Sequence, residues 1–296
     1  MRILVTGATG FVGISLLEGL ASLKHELFGL ARSAPTGRWP RSVTFLAGDV
    51  SKPESLEAIP VNLDLIIHCA AILGRWGRSW HDYYNTNVIG TRNIADVCRE
   101  KGIRNLLHVS SGGAYARVTN YEQSKYVAEK ILEPYVDSLR VVTVRPEFLY
   151  GPGDMHARRL FYAIKAKRFV IIGTGNSTVH PTFIGDFTSE MLKLIQAVDQ
   201  IPSGTVYTIA GPNLTWNAFV RVVCDHYRVQ VRFPRIPVPI MRCCAILNEA
   251  LSRLFRFPML INSDQVYFFS SDHKLDTVGT VLLACPTSLE QGLEYL

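Results

Sequence analysis

The segment Thr6-Gly7-Ala8-Thr9-Gly10-Phe11-Val12-Gly13 constrains this chain more than any other. It follows an apolar run at residues 3–5 directly and opens a helical pattern over residues 12–23. Glycines at three-residue intervals there let the chain turn tightly, bring backbone N–H groups against a pyrophosphate, and pack a helix close to a strand. A glycine triplet alone carries little weight; its place between a strand and a helix is what the dinucleotide fingerprint requires. Gly7, Thr9, Gly10, Phe11, Val12 and Gly13 are therefore candidate cofactor contacts.

The first half continues the alternation. Short apolar runs at 27–30, 43–46, 65–67, 106–109 and 141–144 lack strict polar alternation, as strands covered by helices on both faces do. Helical patterns over 83–101 and 121–137 fall between them. The reading is an α/β fold: a doubly wound parallel Rossmann sheet with a smaller mixed α/β substrate-binding lobe. Residues 1–150 are assigned to the nucleotide-binding domain. Residues 151–296, with strand signals at 169–172, 206–209 and 229–233, form mainly the substrate lobe, interleaved with the sheet.

Composition narrows the function classes. Hydrophobic residues make up 48% and charged residues 19%, so a sizeable core is expected and disorder is not. The net charge of +6 is spread without a dense basic run, which suits an anionic small ligand and argues against nucleic acid. The six cysteines show no CxxC pair and no metal-ligand spacing, so reduced thiols, no metal and a cytoplasmic setting are expected. No leader is expected, because the first apolar residues run straight into the glycine turn. The apolar stretch 236–254 is interrupted by Pro237, Pro239, Arg242, Asn248, Glu249 and Arg253. It reads as a helix packed on the second lobe, with membrane contact at an interface as the lesser alternative.

The end of the second strand reads Leu30-Ala31-Arg32-Ser33, where a carboxylate would hold the ribose diol of NAD. Arg32 instead offers a fork of donors to a 2′-phosphate, so NADP is favoured, with NAD as the alternative. In the pair Asp49-Val50, Asp49 either accepts from the adenine amino group or caps the helix after Pro53; the spacing does not decide. His68-Cys69-Ala70-Ala71 ends the fourth strand with small residues that let backbone pass close to a cofactor. Cys69, Ala70 and Ala71 join the candidate contacts. Metal binding by His68 and Cys69 is not expected, since neighbouring strand residues point to opposite faces.

Tyr121-Glu122-Gln123-Ser124-Lys125 carries the chemistry. Tyr121 and Lys125, four apart, share one helix face. A nearby ammonium would favour the phenolate and make Tyr121 a usable acid or base. Ser111, at the carboxyl end of the fifth strand, is placed to donate to a substrate oxygen as charge develops there. These motifs resemble the extended short-chain dehydrogenases/reductases, the superfamily of NAD-dependent epimerases/dehydratases and 3β-hydroxysteroid dehydrogenase-like enzymes. The glycine turn, the HCAA strand end, Asn87 within NTNVIGT, the Ser110-Ser111 pair, YxxxK and Arg145-Pro146…Tyr150-Gly151-Pro152-Gly153 stand in that family's order. The resemblance runs on to Pro286-Thr287-Ser288-Leu289-Glu290-Gln291-Gly292-Leu293 and covers most of the chain. It implies Ser111, Tyr121 and Lys125 as the catalytic group, with Ser110 as the fallback serine. It also implies cofactor contacts at Asn87, Tyr121, Lys125, Pro146 and Phe148, and a homodimer through the helices at 83–101 and 121–137.

Two departures stand out: Ala116 follows Tyr115 where the family usually has glycine, and Tyr121 comes only ten positions after Ser111. The expected reaction is NADP-dependent reduction of a ketone or aldehyde of a hydrophobic small molecule, or the reverse. The aromatics Phe255, Phe257, Tyr267, Phe268 and Phe269 lend that substrate class soft support, most of them being expected in the core. A sugar-nucleotide epimerase or dehydratase is the alternative, but Val179 occupies the place of the family's diphosphate-binding arginine. A non-catalytic cofactor-binding protein is the third reading, disfavoured by the joint presence of Ser111, Tyr121 and Lys125.

Overall fold

The computed structural model describes residues 1–73, 78–255 and 261–296. The chain divides into two compact units, one of residues 1–147, 184–209 and 276–283, the other of residues 148–183, 210–275 and 284–296.

The first unit is built on an eight-stranded sheet. Its strands are β1 (Arg2–Thr6), β2 (Glu26–Ala31), β3 (Val43–Ala47), β4 (Leu65–His68), β5 (Asn105–Val109), β6 (Arg140–Pro146), β7 (Val206–Ala210) and β8 (Val281–Ala284). They lie in the order β8-β7-β6-β5-β4-β1-β2-β3, so the direction of winding reverses between β1 and β4. Sheets of this kind bind ligands at the carboxyl ends of the strands at that reversal. The strand from β1 through β7 pairings are parallel; Val5, for example, faces Gly29 on one side and Ile67 on the other. The middle strands are buried on both faces, which is why Val, Ile and Leu run through them without alternation.

Three helices position the candidate residues: α1 (Phe11–Ala21), α2 (Gly90–Glu100) and α3 (Asn120–Leu132). A π-helical turn, Tyr84–Ile89, leads into α2, and such turns recur near functional sites. Thr119 caps α3 through a reciprocal box with Glu122, which fixes the first turn carrying Tyr121. Helix Ile184–Gln196 packs so closely on α1 that a Cβ at Gly19 would lie 2.8 Å from Thr188 Cγ2.

The second unit has its own aromatic core of Tyr150, Phe161, Trp216 and Phe219, with Phe148, Phe268 and Phe269 packed against it. Phe268 and Phe269 pack around Trp216 in that core, where most of the sequence's late aromatics were expected. Phe255 is exposed, and Phe257 lies outside the described residues. Helix Val238–Phe255 turns Met241 and Ala245 onto Ile172 and Val266 and leaves Ile240, Leu247 and Leu254 exposed. No helix among the described residues is long and apolar enough to cross a membrane.

Two sequence readings are corrected. Residues 229–233 form no strand; Val229 and Phe233 lean on the aromatic core, and pairing begins only at Arg235–Ile236, against Ile171–Ile172. Of the alternating apolar residues there, Val229 and Phe233 anchor a loop and Val231 is exposed, so the alternation marks no pleated face. Conversely, β8 was not expected, because its residues are largely exposed at the sheet edge and carry no alternation.

A buried ion network ties three parts of the first unit. Arg145 on β6 meets Glu129 of α3 and Asp276, each at 2.6 Å, with side chains only 11–12% exposed. Removing one partner leaves charge stranded in a medium that solvates it poorly. Asp276→Ala is expected to lower unfolding free energy by about 3 kcal/mol in a urea titration. Asp199→Ala, which breaks the solvent-facing pair with Arg140, should cost under about 1 kcal/mol.

Candidate active site

The glycine turn leaves β1 with Gly7 at φ +65°, a conformation that favours glycine. A Cβ there would stand 2.7 Å from Ala70 Cα, and one at Gly13 would stand 2.3 Å from the Gly7 carbonyl oxygen. No side chain fits at either place. Gly10 is the N-cap of α1 and supplies no side-chain cap, and no acidic residue occupies the first turn. The first N–H groups of α1 are thus left to an anion, with the helix dipole favouring negative charge. The backbone cradle fits a dinucleotide pyrophosphate.

Around this turn the other candidates fall into place. Arg32 follows β2, is exposed, and has no hydrogen bond or ion pair among the described residues. Arg38 is tied to Glu18. Thr9, Ser33, Ala34, Pro35, Thr36 and Arg38 line a polar hollow beside the turn. Asp49 does not cap the helix after Pro53: its Oδ1 accepts from Ser51 N at 3.0 Å and Ser51 Oγ at 2.8 Å, and Lys52 is the N-cap. Val50 is buried, and its carbonyl accepts from Asn93 at 2.9 Å. Cys69, Ala70 and Ala71 are half-buried. Burial pushes the Cys69 thiol up to about 12, with Lys125 opposing, so it stays protonated.

Asn87 acts as a bracket. Its Oδ1 accepts from Ile72 N at 2.8 Å, and its Nδ2 donates to Ile72 O at 3.1 Å and Ser124 Oγ at 2.9 Å. The chain leaving β4 is thereby held to α3, next to Tyr121. Pro146 ends β6 and is buried, whereas Phe148 belongs to the second unit and packs with Trp216, Phe219 and Phe268.

Ser111, Tyr121 and Lys125 come together at the ends of β5 and α3. Ser111 stands beside the Tyr121 phenol, near enough to oppose the rise in its pKa. Ser110 is turned away, its hydroxyl donating to Glu129, so geometry separates the two serines that the sequence leaves as alternatives. Lys125 is buried and donates from Nζ to the Val109 carbonyl at 2.8 Å.

The electrostatics differ from the sequence expectation. Tyr121 is pushed up to about 12, chiefly by burial, with Glu122 and Tyr83 adding and Ser111 opposing. Lys125 does not offset this, because its ammonium is drawn to Val109 and is itself destabilised by burial, to about 8, against the pull of Glu129. As it stands, the phenol holds its proton firmly.

Side chains that the motifs did not single out complete the region. Thr6, His68, His108 and Thr143 stand at paired positions across β1, β4, β5 and β6, forming a buried polar row. Thr91 donates to Asn87 O at 2.6 Å, so it accepts from His68 Nε2 at 3.1 Å, and His68 Nδ1 accepts from Thr6 at 2.8 Å. His68 is therefore the neutral Nε2–H form. His108 stacks on it at 5.5 Å, with neither ring nitrogen partnered among the described residues. A lone histidine in a strand gives no sequence signal of such a row; it follows only from register. Glu147, just past β6, is a further group missed in the sequence. Burial pushes its carboxyl up to about 7, with Glu122 adding and Arg145 opposing.

The row predicts acid sensitivity. Burial, helped by Lys125, lowers His68 to about 3, while in the unfolded chain it titrates near its ordinary value of 6.5. The unfolded state therefore binds protons first, and stability is lost as pH falls from about 6.5 toward 3. By pH 5, His68 alone should remove about 2 kcal/mol. His108 is lowered in the same way, by burial first, then Lys125 and His68. His108→Leu should be at least as stable as the parent at pH 7.5, with its advantage growing toward pH 5 in urea titrations. A constant difference across that range would refute the assignment.

Comparison with known proteins agrees with this geometry. The family model for the NAD dependent epimerase/dehydratase family matches residues 3–210. A 2-alkyl-3-oxoalkanoate reductase of Stenotrophomonas maltophilia is 31% identical over 205 residues, 62% of this chain and 62% of that protein. The chain thus aligns with less than two thirds of that relative's length. The 4-hydroxy-2-methyl-3-oxo-4-farnesyl-3,4-dihydroquinoline-1-oxide ketoreductase of Stigmatella aurantiaca is 24% identical over 275 residues, covering 86% of this chain and 81% of its own. Among solved structures, the UDP-glucuronic acid 4-epimerase of Bacillus cereus in complex with NAD superposes with a TM-score of 0.70 at 20% identity. It covers 80% of this chain and 87% of its own, a likeness of fold. The chain belongs to the NAD dependent epimerase/dehydratase family and is an NAD(P)-dependent enzyme of the extended short-chain dehydrogenase/reductase type.

Proposed function

We propose that the protein is an NADP-dependent oxidoreductase that reduces a ketone or aldehyde of a hydrophobic small molecule, or oxidises the corresponding alcohol. The observation that carries this reading is the placing of Ser111 beside Tyr121 at the carboxyl end of β5, with the buried Lys125 held to the Val109 carbonyl of the same strand. The chemistry that a reduced nicotinamide would supply when bound is a hydride for the carbonyl carbon. Ser111 orients the carbonyl oxygen, and Tyr121 delivers its proton there as the alkoxide forms. A phenol held protonated suits this direction, since an alkoxide is a far stronger base than a phenolate. Lys125, with two donors beyond its bond to Val109, would hold the cofactor ribose.

The turn from Gly7 to Gly13 would carry the pyrophosphate, with Cys69, Ala70 and Ala71 alongside and Pro146 at the nicotinamide end. The unpaired Arg32 beside a hollow containing Ser33, Thr36 and Arg38 supports NADP over NAD. Two relatives bear reductase names, and both names describe lipid-like oxo compounds. Val179 is buried in the apolar core of the second unit, which argues against a diphosphate anchor there and so against a sugar nucleotide.

Fluorescence titration of the purified protein tests the cofactor assignment, after a check for nucleotide already bound. NADPH is expected to bind about tenfold or more tightly than NADH, a preference that Arg32→Ala removes. Tightly retained NAD would point instead to an internal redox cycle of the epimerase kind. Tyr121→Phe should lower turnover of a reducible ketone by at least about 100-fold while keeping nucleotide affinity. Full activity in that variant would defeat the mechanism.

A further inference from the structure

Two carboxylates flank the turn that follows Ser111. Glu122 lies over Gly113, where a Cβ would meet its Cγ at 2.6 Å. It is engaged, accepting from Val118 N at 2.9 Å and Thr119 N at 3.0 Å. Glu147 lies over Gly112 so closely that a Cβ there would stand 1.9 Å from its Oε1. Its backbone N–H donates to Ile209 O at 3.0 Å. Its carboxyl has no hydrogen-bond or ion-pair partner among the described residues, although Arg145, two residues away, is fully engaged with Glu129 and Asp276. A part-buried carboxyl without a partner has lost some of its hydration with nothing in return, which is costly to a folded protein. It stands against the residue next to Ser111, whose hydroxyl orients the reacting oxygen in the reading above.

We propose that Glu147 is a substrate-recognition residue whose carboxyl receives an O–H or N–H donor carried one or two atoms from the reacting carbonyl, so that the site takes hydroxy- or amino-substituted ketones. The proposal rests on the ketone-reductase reading and names its substrate class. Gly112 belongs to the same device: only a residue without a side chain leaves room for the carboxyl at that place. A substrate lacking the donor leaves the group unpaired and loses that bond in the complex, the condition under which polar sites discriminate most sharply.

The test is a matched panel assayed with saturating NADPH: acetophenone against α-hydroxyacetophenone and α-aminoacetophenone, and propiophenone against β-hydroxypropiophenone. In the parent enzyme the donor-bearing member of at least one pair should have kcat/KM about tenfold or more above its partner. Glu147→Leu should bring that ratio close to one, mainly by raising KM for the donor-bearing ketone, and Glu147→Gln should keep part of it. Gly112→Ala, which places a methyl where the carboxyl sits while retaining Glu147, should have the same effect as Glu147→Leu. Melting curves and NADPH titration of each variant establish that it is folded and binds cofactor. Equal ratios in parent and Glu147→Leu overturn the proposal and leave the reductase reading standing. So does a loss of NADPH affinity in Glu147→Leu that accounts for the whole effect, which would assign the carboxyl to the cofactor. Binding of NADPH with no turnover of any ketone in the panel overturns the reductase reading, and this proposal with it.

Discussion

The approach of the first turn to the end of β4 sets everything else. Gly7 passes so near Ala70 that a single added carbon would sit inside the van der Waals surface of the neighbouring backbone. That contact places the start of α1 over the switch in strand order, where parallel sheets accept ligands. Thr6 secures it from beneath: its hydroxyl accepts from Ala70 N at 3.2 Å and is bonded to His68. Asn87 then fixes the next residues of the same segment to α3. The cofactor cradle and the helix carrying Tyr121 are therefore parts of one hydrogen-bonded frame.

That frame is unusually polar for the interior of a sheet. Burial acts in opposite senses on its members: it lowers His68 and Lys125 and raises Tyr121, Cys69 and Glu147. The common result is that His68 and Cys69 stay uncharged, while the Lys125 ammonium is weakened to about 8 and still persists near neutral pH. Charge is concentrated instead in the network of Arg145, Glu129 and Asp276, where opposite signs are paired at close range. A firmly protonated phenol beside a buried ammonium is matched to receiving negative charge on a substrate oxygen, because every stabilising donor there counts for more than it would in water.

Much of this was legible in the sequence where chemistry is local. The first six strands, the glycine turn and the Tyr121–Lys125 face follow from local pattern, since each depends on neighbours in the chain, whereas Ser111 was preferred to Ser110 only by resemblance to the family. What was not legible depends on register and long-range contact. The histidine row exists because His68 and His108 fall at paired positions on β4 and β5. Glu147 could be assigned no role until Gly112 was found beneath it. The sign of the Tyr121 shift also turned on where the lysine's Nζ reaches, which a four-residue spacing does not specify. The strand assigned to 229–233 failed for a related reason: apolar alternation marks burial of alternate side chains but not the presence of a pairing partner.

The central claim is that Ser111 and Tyr121 serve net hydride transfer to a carbonyl. The most direct test is turnover with NADPH carrying deuterium at the transferable position of the nicotinamide, followed by mass spectrometry of the alcohol. The account predicts one deuterium on the carbinol carbon, stoichiometric with NADPH consumed, and none in Tyr121→Phe over the same interval. Substrate converted to an isomer without net NADPH consumption, or product without label, would contradict it.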